Sequence, residues 1–381
     1  MDIALVFSGC HRRGGVERSV FEAARFLRLR HEVTVYAWDF EPTGLEGVRQ
    51  VVLPPARGPH WTRPFSFARH ARAALKSSQH EHVISFGVGD VGADVLWVNS
   101  VHRAWLQAAR KLPKRSWKSP LLRYVLPRHL LLLIMEWRYF TRSSFGLVVV
   151  VAPAVGADLT RLYGVREQSL RTIHNGYARK EFSEARRRAA RADARSAHGY
   201  AEGDVVLLMA ANELARKGYP NLLQAMASLA DPRLQLLLVG RADPAGYAAD
   251  VEALGLTDKV RWAGSVEMAL AHAAADVFVL PTQYEAFCLA IVEALASGLP
   301  VVTTAVAGAA DVIRHGENGL LIQSPTDFNE IAAVLAVIAN DGVRLGLADA
   351  AAESVRGLTW ETLFGNAESL LEELSVRVAV E

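Results

Sequence analysis

Two glutamates eight residues apart stand in one apolar stretch, Pro281-Thr-Gln-Tyr-Glu285-Ala-Phe-Cys-Leu-Ala-Ile-Val-Glu293-Ala-Leu-Ala-Ser-Gly-Leu-Pro300. An acid inside such a run costs free energy unless hydrogen-bond donors reach it, so Glu293 needs either a structural cation or the hydroxyls of a ligand. If both were helical they would lie roughly 12 Å apart along the axis, too far for a glycosidase pair but suited to opposite ends of one extended ligand. Upstream, Arg216 and Lys217 precede Gly218 and a helix expected from about Pro220. Adjacent cations after a strand can neutralise a diphosphate, or simply form a solvated surface pair. Gly14-Gly15 lies in Phe7-Ser-Gly-Cys-His-Arg-Arg-Gly-Gly-Val-Glu-Arg18, which leads from an apolar run into a helix. Glycines there let backbone N–H groups approach an anion, although the segment fits neither G-x-G-x-x-G nor the phosphate-loop pattern and also reads as an ordinary turn. Cys288 is expected at a helix start, where the dipole lowers a thiol pKa. Buried, inert packing is the competing reading.

These residues need elements to hold them. Short β-rich runs alternate with amphipathic helical patterns, which indicates βα units around parallel sheets. The expected strands are 3–7, 32–37, 48–53, 82–86, 94–98 and 147–152, then 205–210, 235–239, 260–263, 277–280, 301–304 and 319–322. Between the blocks lies the Arg- and Ala-rich stretch 179–198, after the turn His174-Asn175-Gly176. Residues 1–175 and 176–358 are read as two Rossmann-like domains, and 359–381 as a terminal helix, capped by Thr359, that returns to the first domain. Ligands of such sheets bind beyond the carboxyl ends of the strands, where the residues above fall.

In this order the motifs resemble the retaining glycosyltransferases of the GT4 group, over nearly the whole chain. The most specific element is E-x7-E, Glu285 to Glu293, followed by Ala-Leu-Ala-Ser-Gly-Leu-Pro-Val-Val. Supporting matches are Gly14-Gly15-Val16-Glu17-Arg18, Val101-His102, Asn175-Gly176, Arg216-Lys217-Gly218 and Glu317-Asn318-Gly319-Leu320-Leu321. The resemblance implies a GT-B fold, two doubly wound domains facing a central cleft. It implies that Glu285 meets hydroxyls of the donor sugar, Glu293 the nucleotide ribose, and Lys217 the diphosphate. The backbone at Phe287, Cys288 and Leu289, and that of Gly14 and Gly15, would assist, and His102 would line the sugar pocket. Three departures stand out. Asn212 occupies a position where many members carry arginine, which Arg216 would replace; Ala286-Phe287-Cys288 replaces Gly-Phe-Gly; and Asp311 replaces a frequent glutamate. Among relatives the Gly-Arg-Lys-Gly-like and Thr-Thr-Ala-Val turns are similar to those of lipopolysaccharide-core glucosyltransferases.

The expected activity is transfer of a hexose from a nucleoside diphosphate, UDP favoured over GDP, to a glycan or lipid-linked hydroxyl acceptor. No cofactor is expected. No D-x-D occurs, and cations and helix dipoles are expected to serve in place of a metal. The alternatives are a nucleotide-sugar epimerase and a relative that only binds the nucleotide sugar. The composition, 51% hydrophobic and 22% charged with net charge +2, is that of folded domains and suggests no nucleic-acid partner. Two distant cysteines, Cys10 and Cys288, and an N-terminus read as a strand point to the cytoplasm. One segment stands apart: residues 103–142 carry ten Lys or Arg against the single acid Glu136, with Trp105, Trp117, Tyr124, Trp137, Tyr139, Phe140 and Leu130 to Leu133. A helix of that kind lies in the interface of an anionic bilayer, or packs as a core helix with a solvated basic face.

Overall fold

The computed structural model describes residues 1–56, 58–87, 91–110, 126–142 and 146–380. Of the basic segment, Lys111, Lys114, Arg115, Trp117, Lys118, Pro120, Arg123 and Tyr124 lie outside the described residues. The chain divides into two compact units, one formed by Met1–Gly176 with Trp360–Glu381 and the other by Tyr177–Thr359.

The strands of the first unit are β1 (Asp2–Val6), β2 (Gly9–Cys10), β3 (Glu32–Ala37), β4 (Asp39–Phe40), β5 (Arg49–Val52), β6 (His82–Ser85), β7 (Val95–Val98), β8 (Leu147–Val150) and β9 (Leu170–Thr172). Seven of them form one parallel sheet in the order β5-β3-β1-β6-β7-β8-β9, while β2 and β4 pair separately. The second unit holds β10 (Val205–Ala210), β11 (Leu234–Val239), β12 (Val260–Gly264), β13 (Val277–Leu280), β14 (Val301–Thr304) and β15 (Gly319–Ile322). They form a parallel sheet in the order β12-β11-β10-β13-β14-β15. Continuous runs such as Val-Val-Leu-Leu-Met in β10 are buried on both faces, as helices covering both sides of a parallel sheet require.

In each unit the strand order reverses beside the first strand, between β1 and β6 and between β10 and β13. Such reversals make the two connections leave to opposite faces and open a crevice at the carboxyl ends. The turns after β1, β6, β10 and β13 therefore decide what each unit can bind. The helix Trp360–Val380 joins the first unit: Phe364 lies 5.9 Å from Trp97 and 6.3 Å from Phe26 between ring centroids.

Four features differ from the sequence reading. The edge strand β9 and the β2–β4 pair are short, and the run expected to end at 152 stops at Val150, because the helix Pro153–Tyr163 follows at once. Residues 184–197 form a helix capped by Ser183, whose Oγ accepts the N–H of Arg186 at 3.3 Å. Its inward face is made of arginines: Arg191 and Arg195 bind Asp276 at 2.6 and 2.9 Å, and Arg187 donates to the Ser297 carbonyl at 2.7 Å.

Candidate functional site

In the second unit the loop after β10 ends at Gly218, which has φ +84° and lies so close to Pro281 that a Cβ would stand 2.0 Å from its carbonyl oxygen. Only glycine permits that approach and that conformation. The contact brings residues 216–218 against the segment after β13, where the N–H of Gln283 donates to the Arg216 carbonyl at 2.9 Å. From the other side the turn after β14 grips the same segment. The N–H groups of Gly308 and Ala309 donate to the carbonyls of Glu285 and Phe287 at 2.8 and 2.9 Å, and a Cβ on Gly308 would meet the Ala286 oxygen at 1.8 Å.

Between these clamps sits an ionic cluster. Glu285 Oε1 is 2.8 Å from Arg216 Nη1 and 3.2 Å from Lys217 Nζ. Burial alone would discharge all three groups, but their mutual attraction outweighs it. Burial opposes the charge on Lys217, yet Glu285 and Cys288 hold its pKa above the ordinary lysine value. Burial likewise works against the Glu285 carboxylate, while Lys217 and then Arg216 hold it below the ordinary range. Arg216 is further engaged by the Tyr284 carbonyl and by Glu213, with Nε 3.2 Å from Glu213 Oε2. Lys217 bonds otherwise only to the Ala210 carbonyl, at 3.3 Å, among the described residues. Its third N–H is thus available to an incoming anion. Arg216 has fewer directions left, which makes it a brace for Glu285. Asn212, where an arginine is frequent, instead accepts the N–H of Arg241 at 2.9 Å and shapes the turn after β11.

The helix Leu289–Ala296 begins beside this cluster, and Glu293 lies on it, buried at 5% exposure. Glu285 is not helical; it makes a β-bridge with Ala307, so the axial spacing expected for two helical glutamates does not apply. The N–H groups of Cys288 and Leu289 donate to no acceptor among the described residues and, with the helix dipole, offer an anion site. Cys288 itself contradicts the expectation of a reactive thiol. Burial pushes its pKa up to about 11, overriding the helix dipole and the attraction of Lys217. It also adopts φ +83°, the conformation that glycine at this place would accept without strain.

In the first unit Gly14 caps the helix Gly15–Leu27, and the Glu17 carboxylate folds over it so closely that a Cβ on Gly14 would stand 2.1 Å from Oε2. Ser19 of that helix bonds Asn175 Oδ1 at 3.4 Å, which ties in the His-Asn-Gly turn. His102 opens the helix His102–Ala109. Its N–H and that of Arg103 donate to the buried Glu136 carboxylate, which also takes the Tyr163 hydroxyl at 2.6 Å. The His102 ring stacks on Trp105 and His129, with Nε2 3.0 Å from His129 Nδ1. Burial, with His129 and Arg128 nearby, holds its pKa down at about 4, so the ring is neutral at pH 7. His102 borders a cavity of about 490 Å³ at the ends of β1 and β6. Glu136 and His129 were not singled out as site residues from sequence; the signal for Glu136 was its standing as the only acid among ten cations.

Residues 13–180 match the family model described as Glycosyltransferase Family 4, and residues 190–354 that described as Glycosyl transferases group 1. The lipopolysaccharide glucosyltransferase WaaG of Escherichia coli is 25% identical over 328 residues, spanning 84% of this chain and 85% of that protein. A crystal structure of WaaG, a glycosyltransferase involved in lipopolysaccharide biosynthesis, matches with a TM-score of 0.81 at 22% identity, over 97% of this chain and 99% of that one. Anabaena HepE in complex with UDP-glucose matches with a TM-score of 0.74 at 18% identity, over 97% and 99% of the two chains. At such identities the structural matches concern the fold.

Proposed function

Because the chain belongs to the family 4 glycosyltransferases, with their GT-B fold, we propose that it moves a hexose from a nucleoside diphosphate to a hydroxyl acceptor with retention of configuration and without a metal. The ionic cluster of Arg216, Lys217 and Glu285 at the strand reversal of the second unit carries this reading. Lys217 and the N–H groups of Cys288 and Leu289 would hold the diphosphate, and Glu285, braced by Arg216, would accept hydroxyls of the donor sugar. Glu293 would accept from the ribose. Within the first unit, His102 is the proposed sugar-facing residue and the Gly14-Gly15 backbone the proposed phosphate-facing one. Catalysis would then consist of stabilising charge on the departing diphosphate and positioning the acceptor, with a phosphate oxygen taking the acceptor proton. UDP is the preferred nucleotide; the UDP-glucose complex of HepE supports that choice by likeness of fold.

Release of nucleoside diphosphate from a donor panel, with and without acceptor and chelator, tests the reading, and proton NMR of the product gives its anomeric configuration. Acceptor-dependent release unaffected by chelator, with retention, is the expected result. Conversion of the donor without an acceptor would indicate an epimerase, and nucleotide binding without turnover a non-catalytic relative.

Among the described residues no single helix is long and apolar enough to cross a membrane. A peripheral site on the cytoplasmic membrane face is supported by the helix Pro127–Arg142 and the residue before it. Leu126, Leu130, Ile134 and Trp137 lie along one side with 40, 49, 47 and 46% exposure, and Arg128 and Arg138 are exposed with them. Its other side is buried through Met135, Tyr139 and Phe140, as a helix packed on the core requires. Co-sedimentation with anionic but not neutral vesicles, lost on replacing Leu130, Ile134 and Trp137 by Ser, is the expected outcome.

A further inference from the structure

A buried polar group without a partner lowers stability, so folded chains keep few of them and each one needs a reason. The side-chain amide of Gln283, in the segment after β13, is such a group. Both Nε2 and Oε1 are closed off from solvent, and neither has a hydrogen-bond partner. Among the described residues it is the one side chain with two atoms in that state. Residues 177–359 are described without a gap, so the amide has no partner anywhere in the second unit.

The segment around it meets its other needs. The Thr282 hydroxyl lies 3.1 Å from the Tyr284 carbonyl and 3.3 Å from that of Arg216, and the Thr282 carbonyl accepts Thr304 Oγ1 at 2.6 Å. The backbone N–H of Gln283 donates to the Arg216 carbonyl at 2.9 Å, and Glu285, two residues on, holds Arg216 and Lys217. The other side chains of the second unit with a buried unmet atom have one each: Tyr200 before β10, Gln235 inside β11 and His272 inside the helix Met268–Ala274. Of these four, Gln283 alone follows the carboxyl end of a strand, where a sheet of this order takes its ligand. An amide offers two donors and an acceptor, whereas the Glu285 carboxylate only accepts. A phosphate would leave Oε1 unmet, and an apolar group would leave both atoms unmet. A hydroxyl, which donates and accepts, suits either end.

We infer that Gln283 bonds a hydroxyl of the donor hexose and so selects among hexoses that differ at that carbon. The inference rests on the transferase reading, which places the donor sugar at Glu285. It adds a residue that sets which hexose is taken, because a site built to bond a hydroxyl rejects the analogue that lacks it.

Calorimetric titration of the intact chain and of Gln283→Met with UDP, GDP, UDP-glucose, UDP-galactose, UDP-N-acetylglucosamine and GDP-mannose tests it. Methionine keeps the length of glutamine and has no amide to satisfy. The variant should bind the free nucleoside diphosphate as the intact chain does, and should bind the preferred sugar nucleotide at least about fivefold more weakly, the factor that one neutral hydrogen bond supplies. Its thermal midpoint should be equal or higher, because an unmet buried amide has been removed. Gln283→Leu should behave alike. Deoxy derivatives of the preferred donor locate the contact: one of them should bind the intact chain more weakly than the parent sugar nucleotide but bind Gln283→Met as the parent does. Unchanged sugar-nucleotide affinity in both variants, an equal loss for the free nucleoside diphosphate, or a deoxy series in which no loss is confined to the intact chain would each overturn the role of Gln283. Those outcomes leave the transferase reading standing, whereas failure of the intact chain to bind any member of the panel sinks that reading and the inference with it.

Discussion

At Glu285 one carboxylate faces two cations in a largely buried setting, so its removal has two separable consequences. Glu285→Gln should abolish most transfer, because the sugar hydroxyls lose their acceptor, and should cost about 3 kcal/mol of stability, because two buried cations lose their counter-charge. The pH dependence follows from the sign of the shift. The folded-state pKa lies below the ordinary 4.5, so the stabilisation is present above that value and is lost as pH falls through the folded-state pKa. Urea unfolding of both forms from pH 7 downward should show a gap that narrows as the pH falls through the folded-state pKa, below 4.5; a gap independent of pH would refute the charge argument. Cys288 illustrates the limit of reasoning from position alone. A helix start favours a thiolate, but desolvation is the larger effect here and the thiol rises from 9.0 to about 11. Its thiolate fraction at pH 8 is therefore lower by about a hundredfold than that of an ordinary thiol, and iodoacetamide labelling followed by mass spectrometry should slow to match. Labelling at the rate of free cysteine would mean that the site is more solvated than its packing indicates. Position and residue type made Glu285, Lys217 and Arg216 visible in the sequence. That Arg216 would turn toward Glu213 and the Tyr284 carbonyl was not, since three loop segments must meet before those partners exist.

Elements hold this cluster by contact too close for any side chain. Gly218 and Gly308 stand where an added Cβ would lie 2.0 and 1.8 Å from backbone oxygens of Pro281 and Ala286. Either glycine changed to alanine should push its loop away from the 281–287 segment. The expected outcome is a loss of several kcal/mol in urea unfolding and of nucleotide affinity together, whereas Gly346→Ala, at a site open within 4 Å, should leave nucleotide affinity unchanged. The parallel sheets were legible because their strands are buried on both faces and read as unbroken apolar runs: β10, β13, β14 and β15 carry the boundaries expected from sequence. The three-residue edge strand β9, Leu-Arg-Thr, has no such run. Nor does the helix 184–197, whose inward face is arginine; a search for apolar periodicity passes over a helix that docks through charge. Asp276 is its anchor, accepting from Arg191, Arg195 and the Val206 N–H. Asp276→Asn should cost about 3 kcal/mol in chemical denaturation, while Arg188→Ala, which breaks only an exposed pair with Glu184, should produce no measurable change.

For the whole molecule, the repeated strand order is the strongest link between sequence and function. Each unit reverses its sheet beside its first strand, and the candidate residues cluster at those reversals: Gly14, Gly15 and His102 in one, Arg216, Lys217, Glu285 and Cys288 in the other. That regularity was readable as alternating β and α patterns, whereas the depth to which the last helix enters the first unit depends on aromatic packing between distant positions. Phe364 is 1% exposed and lies against Trp97, Phe26 and Trp360, the last stacked at 6.0 Å, while Glu368 on the next turn takes His31 at 2.7 Å and Arg30 at 3.0 Å. Residues 1–176 therefore complete their core only with a segment synthesised after the entire second unit. Phe364→Ala removes a fully buried ring and should cost about 3 to 5 kcal/mol. Because the two units have separate cores, that loss should fall on one of them. Hydrogen exchange read by mass spectrometry is expected to show faster exchange in β1, β3, β7 and the helix Gly15–Leu27, with peptides from 205–304 unchanged. The reverse control is Leu295→Ala, fully buried in the second unit, which should accelerate exchange in β13 and β14 and spare β1. Uniform acceleration of both units by either substitution would show that they unfold as one cooperative body and that the last helix stabilises the chain as a whole.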